Sequence, residues 1–597
     1  MLHVEQLQWL ADNNGFETHL KFSGDAIDVC IASVAFNPED RFTPVNTQKI
    51  KNHSVAERNL KLLREAAVNL SNDGLMFVYG LPSQLARYAV ALADLLTFRY
   101  WVAVRTATKE KAMGLRPEHT GLLLLSKPGA PINKLRMSHS MCKACGKTLK
   151  DWGGKSHLMN PQGVMLSDVW MDLIVDGNDQ MPAEIFERIL QLSLSVNRKQ
   201  LLLLSLDERP LQFSLFQEAP TAHPLHWQKP KPQPSREIPK AILNTMHKGK
   251  CLEVLKKIPS QTVDLAFADP PFNLTKTYNG YTDALEQDDY TGWCKRWLIE
   301  YERVLKPGGA LVVLNLPKWS FFLADFLCRS KHLYLQNWIV WNALPEPKGI
   351  LMPAHYTLLY FTKGKTPSRF NYCSMEEGWQ PFVEAVFPPD RADVCKRRVC
   401  IRKRRASAST WRGELTDIWY DIPRDRRAGR RSSSLEIHPC PTPEALIDRI
   451  IRLTTNGGDV VLDAFAGVGT TALVAQRLGR NFVTIEQDTG YNIVAEKRIG
   501  ERQLPLPQAK PRKTGTVTKR KLQLELKRIA VALNRVPTRT DIETYSQYKI
   551  EQYESVFASW GEALKAAKIF ARSPENLYEL FDVQTQEDLF AFLDLQD

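Results

Sequence analysis

Val263-Asp264-Leu265-Ala266-Phe267-Ala268-Asp269-Pro270-Pro271-Phe272 reads as a short apolar strand running into a turn. The strand cannot continue, because two successive prolines fix φ and lack N–H donors. A second run of the same kind, Val460-Val461-Leu462-Asp463-Ala464, leads into Phe465-Ala466-Gly467-Val468-Gly469 almost two hundred residues later. Continuous apolar runs of this length, bounded by turn residues, suit strands buried on both faces of a parallel sheet. The expected fold class is therefore α/β, and the turns leaving such strands are where open α/β sheets bind ligands.

The residue types in the two turns point to chemistry on an amine. The lone pair of an exocyclic base amine is delocalised into the ring, so an enzyme that alkylates it must accept hydrogen bonds from the amino hydrogens. Asp269 offers a carboxylate acceptor, and Pro270 and Pro271 can hold the Pro270 carbonyl toward the pocket as a second one. Phe272 offers a face against which an extruded base can stack. These four residues are the candidate catalytic set. The glycine turn is ambiguous by itself: Gly467-Val468-Gly469-Thr470-Thr471-Ala472 also satisfies the dinucleotide fingerprint, with Glu486 nineteen residues beyond Gly467 where a ribose-binding acid belongs. The preceding Asp463 to Ala466 and the partner Asp-Pro-Pro-Phe turn favour S-adenosyl-L-methionine over NAD. Asp463, Phe465, Ala466, Gly467, Gly469, Thr470 and Glu486 are the candidate cofactor contacts.

With both turns in hand, residues from about Lys240 to Arg502 resemble the β-class of S-adenosylmethionine-dependent DNA methyltransferases (N6-adenine/N4-cytosine), in which the Asp-Pro-Pro-aromatic motif precedes the cofactor glycines. Gly249 to Leu255, Leu305-Lys306-Pro307-Gly308-Gly309 and His438-Pro439-Cys440-Pro441-Thr442-Pro443 belong to the same resemblance. Two positions depart from the family pattern: Lys250 stands where an acid is usual, and Thr442 where a lysine is often found. The resemblance implies a Rossmann-like fold and methyl transfer to adenine N6 in double-stranded DNA. N4-cytosine methylation, RNA adenine methylation and a catalytically inactive nucleic-acid-binding protein are the alternatives. It also implies a target-recognition insert at about 364–437, between the two motifs. That is where Lys396 to Arg431 concentrates thirteen Lys or Arg residues, interleaved with Trp411, Trp419 and Tyr420, as a phosphate-contacting surface requires. Arg397, Arg398, Arg402, Lys403, Arg404, Arg405 and Arg412 are the candidate DNA contacts.

An internal repeat extends the α/β reading to the first third of the chain. Ile27 to Asn37 aligns with Val263 to Asn273, and Glu118-His119-Thr120-Gly121 with Ala354-His355-Tyr356-Thr357, at one constant offset. Ser167-Asp168-Val169-Trp170 pairs with Thr416-Asp417-Ile418-Trp419, and Pro182 to Arg188 with Pro443 to Arg449. The counterparts of the two turns are Ser33-Val34-Ala35-Phe36 and Leu202-Leu203-Leu204-Ser205-Leu206-Asp207, which lack the carboxylate, the prolines and the glycines. The expectation is a Rossmann-like fold present twice, with a degenerate copy at 1–216, a Pro-rich linker at 217–239 and the catalytic domain at 240–504. A linker at 505–519 then leads to a small all-α module at 520–597. Val536 to Leu564 resembles the helical repeats attached to homing endonucleases, which implies DNA contact.

At 597 residues the chain exceeds one ordinary core. Its net charge of +13 matters chiefly because it is locally concentrated. Ten scattered cysteines form no disulfide framework, and the start lacks a basic-then-apolar segment. A reduced, cytoplasmic protein of prokaryotic or phage type, nucleoid-associated and without a membrane span, is expected. Cys142-Lys143-Ala144-Cys145-Gly146 has zinc-knuckle spacing, with His139 and His157 near enough in sequence to complete a candidate zinc set. A cognate restriction or defence partner is consistent with the family; the oligomeric state stays open, because an internal copy can replace a second subunit.

Overall fold

The computed structural model describes residues 8–10, 26–36, 45, 53–107, 115–139, 141–142, 145–148, 159–176, 181–193, 200–207, 238–275, 277–278, 281–343, 349–371, 399–400, 416–420, 422, 442–501, 518–533, 536–567 and 569. The seven candidate DNA-contacting residues, Arg397 to Arg412, lie outside these residues, as do both linkers apart from their last one or two positions and most of the 364–437 insert.

The first unit comprises β1 (Gln8–Leu10), β2 (Ile27–Ala35), α1 (His53–Val68), β3 (Leu70–Gly80), α2 (Pro82–Leu92), β4 (Thr97–Ala107) and β5 (His119–Ser126). It continues through the short strands β6 (Arg136–Met137) and β7 (Val164–Met165) to β8 (Val169–Asp176), α3 (Ala183–Ser193) and β9 (Leu201–Asp207). The second comprises β10 (Thr245–Lys248), α4 (Cys251–Leu255), β11 (Val263–Ala268), β12 (Thr277–Tyr278), β13 (Tyr281–Thr282), α5 (Gln287–Val304), β14 (Leu305–Asn315) and α6 (Pro317–Cys328). It is completed by β15 (Leu333–Asn342), β16 (His355–Lys363), β17 (Ile418–Trp419), α7 (Glu444–Thr454), β18 (Val460–Asp463), α8 (Thr470–Arg477), β19 (Asn481–Glu486) and α9 (Thr489–Glu501). Helices α10 (Lys519–Leu533), α11 (Arg539–Tyr545), α12 (Ile550–Glu554) and α13 (Trp560–Ala566) follow and share a core around Leu522, Leu526, Ile542 and Tyr553.

The two sheets run β1-β9-β2-β3-β5-β4-β8 and β10-β19-β18-β11-β14-β16-β15-β17. Apart from the ends, the orders correspond strand for strand, including one strand antiparallel to both neighbours, β5 in the first sheet and β16 in the second. The difference at the cofactor end is informative. In the second sheet β19, which carries Glu486, lies between β10 and β18; in the first, β1 pairs directly with β9. β1 thus stands beside β9 where β19 stands beside β18, and among the described residues no further strand lies outside it. The strand β2 also runs on through Ser33 to Ala35, where the second sheet breaks into the Asp-Pro-Pro turn.

The aligned repeat segments turn out to be the contact between the units. The Asp417 carboxylate accepts from the Glu118 amide at 2.8 Å and lies 2.8 Å from His119 Nδ1. The Asp168 carboxylate accepts from the Ala354 amide at 2.8 Å and lies 3.1 Å from His355 Nδ1. Each unit thus reaches into the other with the same residue, which is the signature of a two-fold-like arrangement. Trp101 and Trp338 stack on each other between these contacts, 4.5 Å apart and 5° from parallel, and α2 packs against α6. Both Trp rings and both His side chains are buried, so the contact has the character of a core rather than a surface. No described helix is long and apolar enough to cross a membrane.

Because Asp168 and Asp417 satisfy buried partners in the opposite unit, removing either leaves donors without acceptors. Asp168→Ala and Asp417→Ala should each lower the unfolding free energy by about 2–3 kcal/mol in urea titrations. A change below about 0.5 kcal/mol would contradict a tightly joined pair.

Candidate active site

The two sequence motifs meet because their strands are neighbours. β11 and β18 pair in parallel, Leu265 with Val461, Ala266 with Leu462 and Phe267 with Asp463. Both strands are buried along their whole length, which explains their unbroken apolar runs. Asp264 fastens their starts, accepting from Lys306 Nζ at 2.7 Å and from the Val460 amide at 2.9 Å. Tyr301 fastens their ends: its hydroxyl donates to the Phe267 carbonyl and accepts from the Ala464 amide, both at 2.9 Å. The turns leaving these strands face one cavity of about 680 Å³, within the size range of small-molecule sites.

At the Asp-Pro-Pro turn, carbonyls are consumed selectively. The Pro271 carbonyl accepts from the Tyr290 hydroxyl at 2.7 Å, itself held by Asn315 Nδ2 at 3.1 Å, and the Phe272 carbonyl accepts from Trp319 Nε1 at 2.7 Å. Among the described residues no donor reaches the Pro270 carbonyl. Asn273 then turns the chain at φ 53° and exchanges two 2.7 Å hydrogen bonds with the backbone of Leu285. The Thr442 hydroxyl donates to Asp269. Thr442, one of the two departures noted in the sequence, therefore contacts the Asp269 carboxylate directly. Phe272 leans over Tyr356 at 5.7 Å, and Tyr356 over Trp341 at 5.2 Å, giving the cavity a row of aromatic faces.

On the glycine side, Asp463 is 2% exposed and accepts from the Phe465 amide at 2.9 Å and the Thr471 hydroxyl at 2.6 Å. Burial pushes its carboxyl up to about 7, with Asp269 and Glu486 adding to the rise and the two hydrogen bonds opposing it. Glu486 accepts from the Gly467 and Asp488 amides, each at 2.8 Å, and burial raises its carboxyl as well. Gly467 takes a left-handed φ of 52° and lines the cavity with Ala466 and Thr470. Phe465 lines it too, its ring wedged edge-on against Trp293 and Trp297 of α5.

Gly469 is placed differently from the expectation. It does not line the cavity but caps α8 at φ 80°, where a Cβ would come within 2.8 Å of Ala495 Cβ in α9. Close packing of α8 against α9 therefore requires glycine at this position. Of the expected metal set, His139, Cys142 and Cys145 lie among the described residues. His139 Nε2 lies 2.8 Å from the Asn160 carbonyl, which engages it in a loop contact, and His157 lies outside the described residues. Cys142 and Cys145 instead converge with Cys400.

The residues facing the cavity suit S-adenosyl-L-methionine. Glu486 keeps acceptor capacity beyond its two amides for ribose hydroxyls. The carboxylates and the aromatic faces of Trp293, Phe465 and Tyr290 suit a sulfonium cation.

Of the curated relatives, DNA adenine methyltransferase YhdJ of Escherichia coli (strain K12) is 33% identical over 285 residues, 46% of this chain and 90% of its own length. The chain belongs to the DNA methylase family. The model of that family matches residues 263–497, spanning both motif strands. Type II methyltransferase M.BamHI of Bacillus amyloliquefaciens is 38% identical over 252 residues, 41% of this chain, and this chain spans only 54% of the length of M.BamHI. Type II methyltransferase M1.MboII of Moraxella bovis is 29% identical over 254 residues, 42% of this chain and 94% of its own. A solved structure of an M1.HpyAVI–SAM complex is similar over 43% of this chain and 98% of its own, at 22% identity and a TM-score of 0.30, a likeness too small to argue from. Residues 517–569 separately match the homing endonuclease associated repeat.

Asp463 provides a pH test of this DNA methylase pocket. Its folded value of about 7 lies above its ordinary 3.8, so its contribution to stability is fully present below about pH 4 and is lost as pH rises through 7. Asp463→Asn should flatten the decline in urea-measured stability across that window. An unchanged slope relative to wild type would show that the carboxyl is not buried as described.

Proposed function

We propose that the chain transfers a methyl group from S-adenosyl-L-methionine to the N6 amine of adenine in double-stranded DNA. The observation that carries this reading is the turn at Asp269 to Phe272, which offers a carboxylate, one uncommitted carbonyl and an aromatic face to the cavity that Glu486 lines from the other side. When bound, the cofactor supplies an electrophilic methyl group on a sulfonium centre. Asp269 and the Pro270 carbonyl accept the amine hydrogens and so concentrate the nitrogen lone pair toward the glycine side. Thr442 orients Asp269, and a carboxylate accommodates about four hydrogen bonds, so this contact leaves acceptor capacity. Tyr290 and Trp319 tie down the flanking carbonyls, which keeps the Pro270 carbonyl in place without reorganisation.

Phe272, Tyr356 and Trp341 would stack an extruded base, offsetting part of the few kcal/mol that leaving the duplex costs. Adenine is favoured over cytosine N4 by Asp at the first motif position and by the activity in the name of YhdJ. Residues 1–216 would be a methyltransferase-like copy without chemistry, since Ser33-Val34-Ala35-Phe36 replaces the Asp-Pro-Pro-Phe turn and continues as strand. Its Asp168 braces Ala354 and His355, next to the pocket residue Tyr356, which gives the copy a supporting role in shaping the base site. The segment between the motifs, with Arg397 to Arg412, and the C-terminal helices would add DNA contacts, and a restriction partner would act on the same DNA.

Labelled S-adenosylmethionine with DNA as acceptor separates the assigned roles. Asp269→Ala should lose about 10²–10³-fold in methyl transfer while binding the cofactor within about threefold of wild type by calorimetry. Glu486→Ala should instead weaken cofactor binding by about tenfold or more. Wild-type transfer by Asp269→Ala would overturn the mechanism.

A further inference from the structure

Cys142-Lys143-Ala144-Cys145-Gly146 is folded as a tight knuckle. The Cys142 amide donates to the Lys147 carbonyl at 2.7 Å, and the Cys142 carbonyl accepts from the amides of Cys145 at 3.3 Å and Gly146 at 2.7 Å. An antiparallel bridge between Met141 and Thr148 closes the base of the turn. Gly146 sits at φ 65° with nothing within 4 Å of where a Cβ would be, so its glycine is needed for conformation and not for space. Such a turn aims two side chains three residues apart at one point. A third thiol reaches that point from far away in sequence: Cys400 comes from the stretch between the two motifs, and the Sγ atoms of Cys142, Cys145 and Cys400 all lie within 4.8 Å of one another. Cys142 and Cys400 are each 1% exposed.

We propose that Cys142, Cys145 and Cys400 hold a structural zinc ion that clips the first unit to the segment between the motifs. Zinc–thiolate bonds of about 2.3 Å in tetrahedral geometry place sulfurs about 3.8 Å apart, so closure needs movements of about 1 Å or less. Three converging thiols favour a metal over a disulfide, which joins two and strands the third. Three soft sulfur donors in a largely buried position suit zinc among the common divalent ions. Coordination converts the thiols to thiolates and releases their protons to solvent. One further group completes the tetrahedron; Cys395 lies outside the described residues and is not assigned. The ion would close a long loop of chain, which favours the folded state through the unfolded ensemble. It would also anchor the start of the basic run Lys396 to Arg431 against the first unit. The site stands independently of the methyltransferase reading, and its test does not use activity.

The full-length chain is purified without chelator, its zinc content is measured by plasma mass spectrometry, and the metal is then exchanged for cobalt. The expected result is one zinc per chain, with sulfur-to-cobalt charge-transfer bands and intense tetrahedral d–d bands after exchange. Cys400→Ser should release zinc at a chelator concentration about tenfold lower or more. Because Cys400 is buried, Cys145→Ser at the exposed position serves as a second variant that keeps the far-ultraviolet dichroism of wild type and shows the same loss. Less than about a tenth of a zinc per chain after zinc reconstitution, or zinc retention by both variants, overturns the proposal. So does a titration after denaturation without reductant that finds eight thiols where the sequence has ten cysteines, since the missing two would be a disulfide.

Discussion

The parallel pairing of β11 with β18 is the constraint on which the rest of the site depends. It puts Phe267 beside Asp463, so two turns almost two hundred residues apart in sequence leave the same edge of the sheet as neighbours. The Tyr301 hydroxyl bridges the two strand ends, taking the Ala464 amide and giving to the Phe267 carbonyl. One buried phenol thus sets the spacing between the Asp-Pro-Pro turn and the glycine turn. Positioning of this kind contributes rate because transfer between two bound groups depends on their alignment before reaction.

Among the described residues the first sheet has the strand order of the second, with β1 beside β9 where β19 lies beside β18. What it retains is a reciprocal contact, Asp168 to His355 and Asp417 to His119, closed over by the Trp101–Trp338 stack. That contact ends one residue from Tyr356, whose ring meets Phe272. Asp168 and Asp417 are buried at the junction, and each accepts from a backbone amide of the other unit.

Much of the fold was legible in the sequence because its central strands are buried on both faces and read as unbroken apolar runs ending in proline or glycine turns. The likeness of the two sets of strands was legible for the same reason, but the contact between them was not. Alignment of His119 with His355 and of Asp168 with Asp417 says that the segments correspond; only coordinates show that each aspartate serves the histidine of the other unit. Tyr301, Tyr290 and Trp319 escaped notice because they reach the site from helices, where an aromatic residue at helical spacing reads as ordinary core. Thr442 was visible as a departure from a pattern, yet its contact with Asp269 depends on a chain path that spacing does not encode. Gly469 was misplaced because a glycine needed for helix packing and one needed for a ligand look alike in a fingerprint. Cys400 was not joined to Cys142 and Cys145 in sequence because it arrives from another part of the chain, while nearness in sequence favoured His139 and His157.

The central claim is that the converging turns methylate the exocyclic amine of adenine in DNA, with Asp269 as the acceptor for its hydrogens. Nucleoside mass spectrometry on DNA from a methylation-free host expressing the chain tests this most directly, because it identifies the modified atom without assuming a recognition sequence. The account predicts N6-methyladenine from the wild-type chain and none above background from Asp269→Ala. N4-methylcytosine as the product, or N6-methyladenine persisting in Asp269→Ala, would contradict it.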